Sequence, residues 1–137
     1  MQDPRSHHIR RIVVADDEHH IRAVVASKLR SAGFEVFEAR DGAEALELAL
    51  EHRPDLLVTD LQMPLMSGLE LCLRLKVDQR TAGVPVVMLT ARGYILDQSQ
   101  LDETNIRELM SKPFAAKELL RRVNDLLGLA TAQREAA

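Results

Sequence analysis

Five times along this chain a short apolar run is followed by a segment with helical spacing, and the apolar runs are of two kinds. Ile12-Val13-Val14-Ala15, Leu56-Leu57-Val58-Thr59 and Val84 to Leu89 are free of charge. Phe34 to Ala39 holds Glu35 and Glu38, and Ile106 to Ser111 holds Arg107 and Glu108. Short uncharged runs suit parallel strands buried on both faces, whereas a strand with ionic side chains belongs at an edge. Strand–helix alternation with short connections therefore predicts an α/β fold, a doubly wound parallel five-stranded sheet of (βα)5 type. With the second and fifth strands at the edges, the strand order is 2-1-3-4-5.

The intervening segments read as helices with ordinary punctuation. Ile21, Val24, Val25, Leu29 and Ala32 share one face and stop at Gly33. Asp41-Gly42 opens a second helix carrying Leu46, Ala49 and Leu50, which Pro54 ends. The third helix runs from Leu69 to about Asp78. The fourth, roughly Tyr94 to Glu103, is the weakest, because Gln98, Ser99 and Gln100 dilute its apolar face. The last helix places Ala116, Leu119, Leu120, Val123, Leu126 and Leu127 in register before Gly128. At 137 residues the chain supports one core. Residues 1–9 are expected to be a flexible segment, 10–128 the domain and 129–137 a fraying tail, with nothing after Gly128 to form an output domain.

A net charge of -3 provides no basic field, so nucleic-acid binding by this chain alone is disfavoured. The pairs Arg10-Arg11 and Arg121-Arg122 read as solvated faces. No apolar stretch approaches the roughly 20 residues of a membrane span. A lone Cys72 between two leucines reads as a buried hydrophobe in a reducing compartment, and the expected location is cytoplasmic. His19 and His20, about 100° apart on a helix, are not placed to chelate one ion together.

The strand order brings the ends of the first and third strands to the crevice where the winding reverses. Asp16 and Asp17 follow the first strand, Asp60 ends the third and Lys112 follows the fifth. Three converging carboxylates repel one another, and a divalent cation relieves that repulsion. All-oxygen ligands favour Mg2+ over zinc, and the backbone carbonyl of Gln62 is placed to complete the protein's share. Asp60 is then a candidate nucleophile for a phosphoryl group, with Lys112 as fixed positive charge and Thr90 offering a hydroxyl. Taken singly, each has a plainer reading: loop-mouth Asp and Lys as solvated charges, Thr90 as a helix cap.

Over about Arg10 to Leu127 the chain resembles the receiver domain of two-component response regulators, of flavodoxin-like fold. The resemblance rests on Val13-Val14-Ala15-Asp16-Asp17-Glu18, Asp41-Gly42-Ala43-Glu44-Ala45-Leu46, the stretch Asp60 to Gly68, Leu89-Thr90-Ala91-Arg92-Gly93 and Ser111-Lys112-Pro113-Phe114. It implies that Asp60 is the phosphoacceptor, charged by a histidine kinase or a histidine phosphotransfer protein. It also implies that Asp17 binds Mg2+ directly and Asp16 largely through water. Thr90, Ala91 and Lys112 would form the phosphoryl-binding and switch set, and the bond before Pro113 would be cis. Gln62 and Arg92 would tune dephosphorylation. Phosphorylation would switch the surface of the fourth helix, fifth strand and fifth helix toward a downstream protein target, a face through which two copies could also pair. Such a protein is not an enzyme beyond self-phosphorylation and slow self-dephosphorylation.

Three departures stand out. Asp97 to Asn105 lacks the family's usual small-residue run before the fifth strand, so the fourth helix is expected to be shifted or loose. Leu109 occupies the position where the family usually carries a switch Tyr or Phe, so output is either altered or weakened. Ser67 replaces a common acidic residue before Gly68, a minor surface change. The alternatives are a phosphorylation-independent interaction module on the same fold, motivated by Leu109, and a phosphatase using an aspartyl-phosphate. The latter is disfavoured because Gln62 stands where such enzymes place a second acid.

Overall fold

The computed structural model describes residues 8–91 and 93–129. The expectations for most of the N-terminal segment and C-terminal tail, and for Arg92, concern positions outside these residues. Five parallel strands, β1 (Arg11–Ala15), β2 (Glu35–Ala39), β3 (Leu56–Asp60), β4 (Val86–Thr90) and β5 (Ile106–Ser111), form one sheet in the order β2-β1-β3-β4-β5. The helices are α1 (His19–Ser31), α2 (Gly42–His52), α3 (Gly68–Val77), α4 (Gln98–Asp102) and α5 (Ala116–Leu126). The two strands whose interiors carry ionic residues, β2 with Glu38 and β5 with Arg107 and Glu108, are the edges, as the cost of burying charge requires.

Alternation along each strand sends side chains to two separate cores. Val13, Ala15, Leu57 and Met88 pack on one face with Ala45 and Ala49 of α2 and Leu71 and Leu75 of α3. Ile12, Val14, Val58, Val87 and Leu89 pack on the other with Val25 and Leu29 of α1 and Leu119 and Val123 of α5. Every residue of β3 and β4 is buried. At about 25 cal/mol per Å² of apolar surface removed from water, this double burial is the main driving force for the sheet. Cys72 lies in the first core at 2% exposure, and burial pushes its thiol up to about 12, the behaviour of a structural hydrophobe.

The helix ends follow local chemistry. Gly33 takes φ +99° after α1, a left-handed conformation that glycine adopts without strain. Asp41 caps α2 by accepting from Glu44 N–H at 2.8 Å. Ser67 does the same for α3, accepting from Glu70 N–H at 3.1 Å, a task that serine and an acidic residue perform about equally well.

The structure corrects the fourth helix. It spans Gln98–Asp102 only, and the residues discounted for polarity are the ones that form it. Asp97 Oδ1 accepts from Gln100 N–H at 2.9 Å, while Gln100 Oε1 accepts from Asp97 N–H at 2.9 Å. This reciprocal capping box starts a helix by satisfying free N–H groups, with no need of an apolar stripe. Tyr94 and Ile95 lie outside it and are exposed. The fourth strand also begins later than its apolar run. Val84 N–H is engaged in a turn with Thr81, and Pro85 offers only its carbonyl, which accepts from Leu57 N–H at 3.0 Å.

Gly68 is where α3 meets the end of β3. A Cβ there would lie 2.2 Å from Asp60 O and 3.0 Å from Leu61 Cα, both backbone atoms that cannot step aside. Gly83, by contrast, has open space around it. In urea unfolding, Gly68→Ala is expected to lose about 2 kcal/mol or more, and Gly83→Ala to stay within about 1 kcal/mol of the native chain. Equal effects at the two positions would contradict the close approach.

Candidate functional site

The site forms where four adjacent strands, β1, β3, β4 and β5, end together. Ala15 pairs with Thr59, Asp60 with Leu89 and Thr90 with Ser111, so Asp16, Asp60, Thr90 and Lys112 leave the sheet at one level. Backbone hydrogen bonds fix the loops beyond: Asp16 N–H to Ala39 O at 3.1 Å, Leu61 N–H to Leu89 O at 2.9 Å, and Lys112 N–H to Thr90 O at 2.8 Å. The Lys112–Pro113 peptide bond is cis.

Asp16, Asp17 and Asp60 each offer a carboxylate oxygen within 4.8 Å of the others. Asp16 is fully buried, Asp60 is 6% exposed and Asp17 lies at the surface. Burial raises the Asp60 carboxyl to about 6, the charge of Asp16 adds to that rise, and Lys112 opposes it. Burial likewise holds Asp16 above the usual carboxylate range, against the Glu18 N–H that donates to its Oδ1 at 2.9 Å and against Lys112. Folding thus assembles two ionisable groups where ionisation is unfavourable, an arrangement that favours a bound cation.

Lys112 is the positive centre of the cluster. Its Nζ lies 2.9 Å from Glu18 Oε1, 3.1 Å from Asp16 Oδ2 and 3.4 Å from Asp60 Oδ1. Burial works against the ammonium, but these anions outweigh it and hold its pKa above the ordinary lysine value. The approach to Asp16 Oδ2 is off the direction of a hydrogen bond, and this buried oxygen has no hydrogen-bond donor. Three carboxylates with oxygens within 4.8 Å of one another, two of them buried and met by a single ammonium, fit a hard divalent cation.

Beside the acids opens a cleft of about 510 Å³ lined by Asp17, Gln62, Met63, Pro64 and Tyr94 among others. Thr90 is 2% exposed, and its Oγ1 donates to Met110 O at 3.5 Å, the long limit of such a bond. Thr90 therefore ends a strand and does not cap a helix. Leu109 stands apart from these residues, 37% exposed on the outer edge strand, with its carbonyl 3.5 Å from Arg122 Nη1. His19 and His20 are exposed, and His19 Nδ1 contacts Arg22 Nη2.

Two supporting contacts were not read from the sequence, which placed Glu18 in the acidic stretch without a role and did not single out Arg22. Glu18 supplies the nearest anion to Lys112. Arg22 donates from Nη1 to Asp16 O at 2.8 Å and pairs with Glu38 of β2 at 3.4 Å, tying the acidic loop to the edge strand. Glu38 was legible as an edge-strand charge; its partner on α1 was not, because that pairing spans two elements.

The raised Asp60 carboxyl has a consequence for stability. Its ordinary value is about 4, so between about pH 4 and 6 the folded chain binds more protons than the unfolded chain. The contribution of this group to stability therefore falls as pH rises through that window and stays low above it. With EDTA present, urea unfolding of native protein is expected to show this decline more steeply than Asp60→Asn, which keeps only the part due to Asp16. At pH 7.5 Asp60→Asn is expected to be the more stable by on the order of 1 kcal/mol or more. A less stable Asp60→Asn would show that the ionised carboxylate stabilises the fold. Titrating Mg2+ at pH 7.5 is expected to raise the native midpoint and leave Asp60→Asn nearly unmoved.

Comparison with known proteins agrees with this geometry. The family model for the response regulator receiver domain matches residues 12–124. The DNA-binding dual master transcriptional regulator RpaA of Synechocystis is 41% identical over 117 residues, covering 85% of this chain and 48% of that protein. The phosphate regulon transcriptional regulatory protein PhoB of Escherichia coli is 39% identical over 118 residues, covering 86% and 52%. The chain thus spans about half the length of these curated relatives. The solved chemotaxis response regulator CheY4 of Vibrio cholerae superposes with a TM-score of 0.79 at 29% identity, covering 86% of this chain and 98% of that one. The receiver domain of sensor histidine kinase PA1611 of Pseudomonas aeruginosa, solved with magnesium coordinated in its active-site cleft, gives 0.78 at 25% identity, covering 88% and 99%. With strand order, acidic cluster and family match in agreement, this chain belongs to the response regulator receiver domain family.

Proposed function

We propose that this receiver domain, residues 10–128, accepts a phosphoryl group on Asp60. The observation that carries the reading is the cluster of Asp16, Asp17 and Asp60 carboxylates, with oxygens within 4.8 Å of one another, against which a single ammonium, Lys112 Nζ, lies 3.1 Å from Asp16 Oδ2 and 3.4 Å from Asp60 Oδ1. Asp16, Asp17 and Asp60, with the backbone carbonyl of Gln62, are the residues that would hold Mg2+. When bound there, the ion would offset the negative charge of the carboxylates and of an incoming phosphoryl group.

The chain's own part in the transfer follows from its side chains. An Asp60 carboxylate oxygen forms a bond to phosphorus as the donor's bond to phosphorus breaks, with the electron pair leaving on the donor. With a phosphohistidine donor, the broken bond is phosphorus–nitrogen and the imidazole takes up the electron pair. Lys112 meets the negative charge on the phosphoryl oxygens, and the Thr90 hydroxyl, held among the described residues only by a long bond to Met110 O, can turn toward them. Ala91, next in the loop, would move with Thr90. Gln62 lines the cleft together with Asp17, and Gln62 and Arg92 would tune how fast water hydrolyses the phosphoryl group.

The partners in this reading are a histidine kinase or phosphotransfer protein on the donor side and a protein target on the output side. Output would pass through the face of α4, β5 and α5, where phosphorylation shifts a pre-existing equilibrium. Leu109 lies on that face without an aromatic ring, so the signal would travel by movement of the Thr90 loop and the short α4. A second copy of the chain could use the same face. The chemistry requires no foreign substrate turnover, only self-phosphorylation and slow self-dephosphorylation. No helix among the described residues is long and apolar enough to cross a membrane, in keeping with a cytoplasmic module.

Intact-protein mass spectrometry after incubation with acetyl phosphate tests the proposal. The expected result is a Mg2+-dependent gain of one phosphoryl group by the native chain and none by Asp60→Asn. No adduct on the native chain, sampled faster than hydrolysis and under conditions where Mg2+ raises its unfolding midpoint, would overturn the phosphoacceptor assignment.

A further inference from the structure

Glu18 sits at the N-cap of α1, where a side chain ordinarily accepts from the first free N–H groups of its own helix. Its backbone is suitably extended, at φ -82° and ψ 106°, yet its carboxylate makes no capping bond. It reaches across the site instead: Oε1 accepts from Lys112 Nζ at 2.9 Å, between residues 94 apart in the chain. Among the described residues this is the only hydrogen bond the ammonium makes to a carboxylate; Asp16 and Asp60 approach it at 3.1 and 3.4 Å without that alignment. The three anions also differ in freedom. The side chain of Glu18 is 60% exposed, against 0% for Asp16 and 8% for Asp60.

We propose that Glu18 is a positioning residue that holds Lys112 by a releasable ion pair and competes for it with a phosphoryl group on Asp60. The inference rests on the phosphoacceptor reading above. In the exchange Lys112 gives up one N–H···O contact to Glu18 and makes one to a phosphoryl oxygen, and the freed carboxylate turns into water. No bond to hydrogen breaks and no co-reactant is needed. Asp16 cannot serve as the exchanging partner, because it has no solvent to turn into. Glu18 can, and the negative charge brought by the phosphoryl group repels it. Its presence therefore weakens the hold on the phosphoryl group while keeping Lys112 extended into the site.

The test uses beryllium trifluoride, a phosphoryl stand-in for the Asp60 carboxylate, titrated calorimetrically with saturating Mg2+ into the native chain, Glu18→Gln, Lys112→Ala and the double variant. Glu18→Gln is expected to bind it about two- to fivefold more tightly than native, the range of a part-exposed ion pair. That gain is expected to vanish in the Lys112→Ala background. If Lys112→Ala binds too weakly to titrate, repeating the native and Glu18→Gln titrations in 0.5 M KCl decides the matter. A contact ion pair keeps most of its effect there, whereas a diffuse field is screened. Weaker binding by Glu18→Gln, an equal gain in both backgrounds, or a gain abolished by salt would overturn the role of Glu18 alone. Failure of the native chain to bind beryllium trifluoride despite binding Mg2+ would instead overturn the phosphoacceptor reading, and this inference with it.

Discussion

The Lys112 ammonium is the charge on which the rest of the site depends. It reaches back from the loop after β5 to acids that follow β1 and end β3, and so joins one edge of the sheet to its centre. Without a cation among them, Asp16 and Asp60 would be two buried carboxylates facing each other, and both already stand above the usual carboxylate range. With Lys112 present the cluster is only partly neutralised, and Asp16 Oδ2, 3.1 Å from the ammonium, makes no aligned hydrogen bond among the described residues. This incomplete compensation separates a ligand site from a structural salt bridge, which would satisfy every atom.

The scaffold makes that incompleteness tolerable. Two cores, one on each face of the sheet, bury the whole of β3 and β4, so the ends of those strands are held by packing rather than by the polar groups they carry. Gly68 lets α3 approach the carbonyl of Asp60 closely, and Arg22 fastens the acidic loop through a backbone carbonyl rather than a carboxylate. Carboxylate charge is thereby left for chemistry. The side of α4 and β5 is built differently: α4 is five residues long with no buried residue, and β5 exposes alternate side chains. A rigid site adjoining a lightly packed edge is the arrangement in which a local change of charge can bias a neighbouring surface.

Several elements were legible because a single physical cost decided them. Charge in Phe34 to Ala39 and Ile106 to Ser111 placed those strands at the edges, since burying a charge on both faces is too costly. Asp16, Asp17, Asp60, Thr90 and Lys112 each lay just beyond or at the end of an apolar run, and the strand order brought them together. Apolar periodicity failed for α4, where capping by Asp97 and Gln100 outweighed a diluted apolar face. It also failed for Asn124, which is 2% exposed on α5 with an unpaired amide nitrogen; nothing in the structure explains that burial.

By itself, the sequence determined the number of strands and helices, their order in the sheet and the identities of the acids and the lysine at the crevice. These follow from local pattern, because a side chain's polarity and its place in a run decide which environment it tolerates. Only the tertiary structure decided that the oxygens of Asp16, Asp17 and Asp60 come within reach of one ion, that Asp16 keeps an oxygen without a donor, and that Glu18 leaves its own helix for Lys112. Those are distances between atoms on different elements. They are set by how the sheet twists and how the loops close, and no run of adjacent residues encodes them.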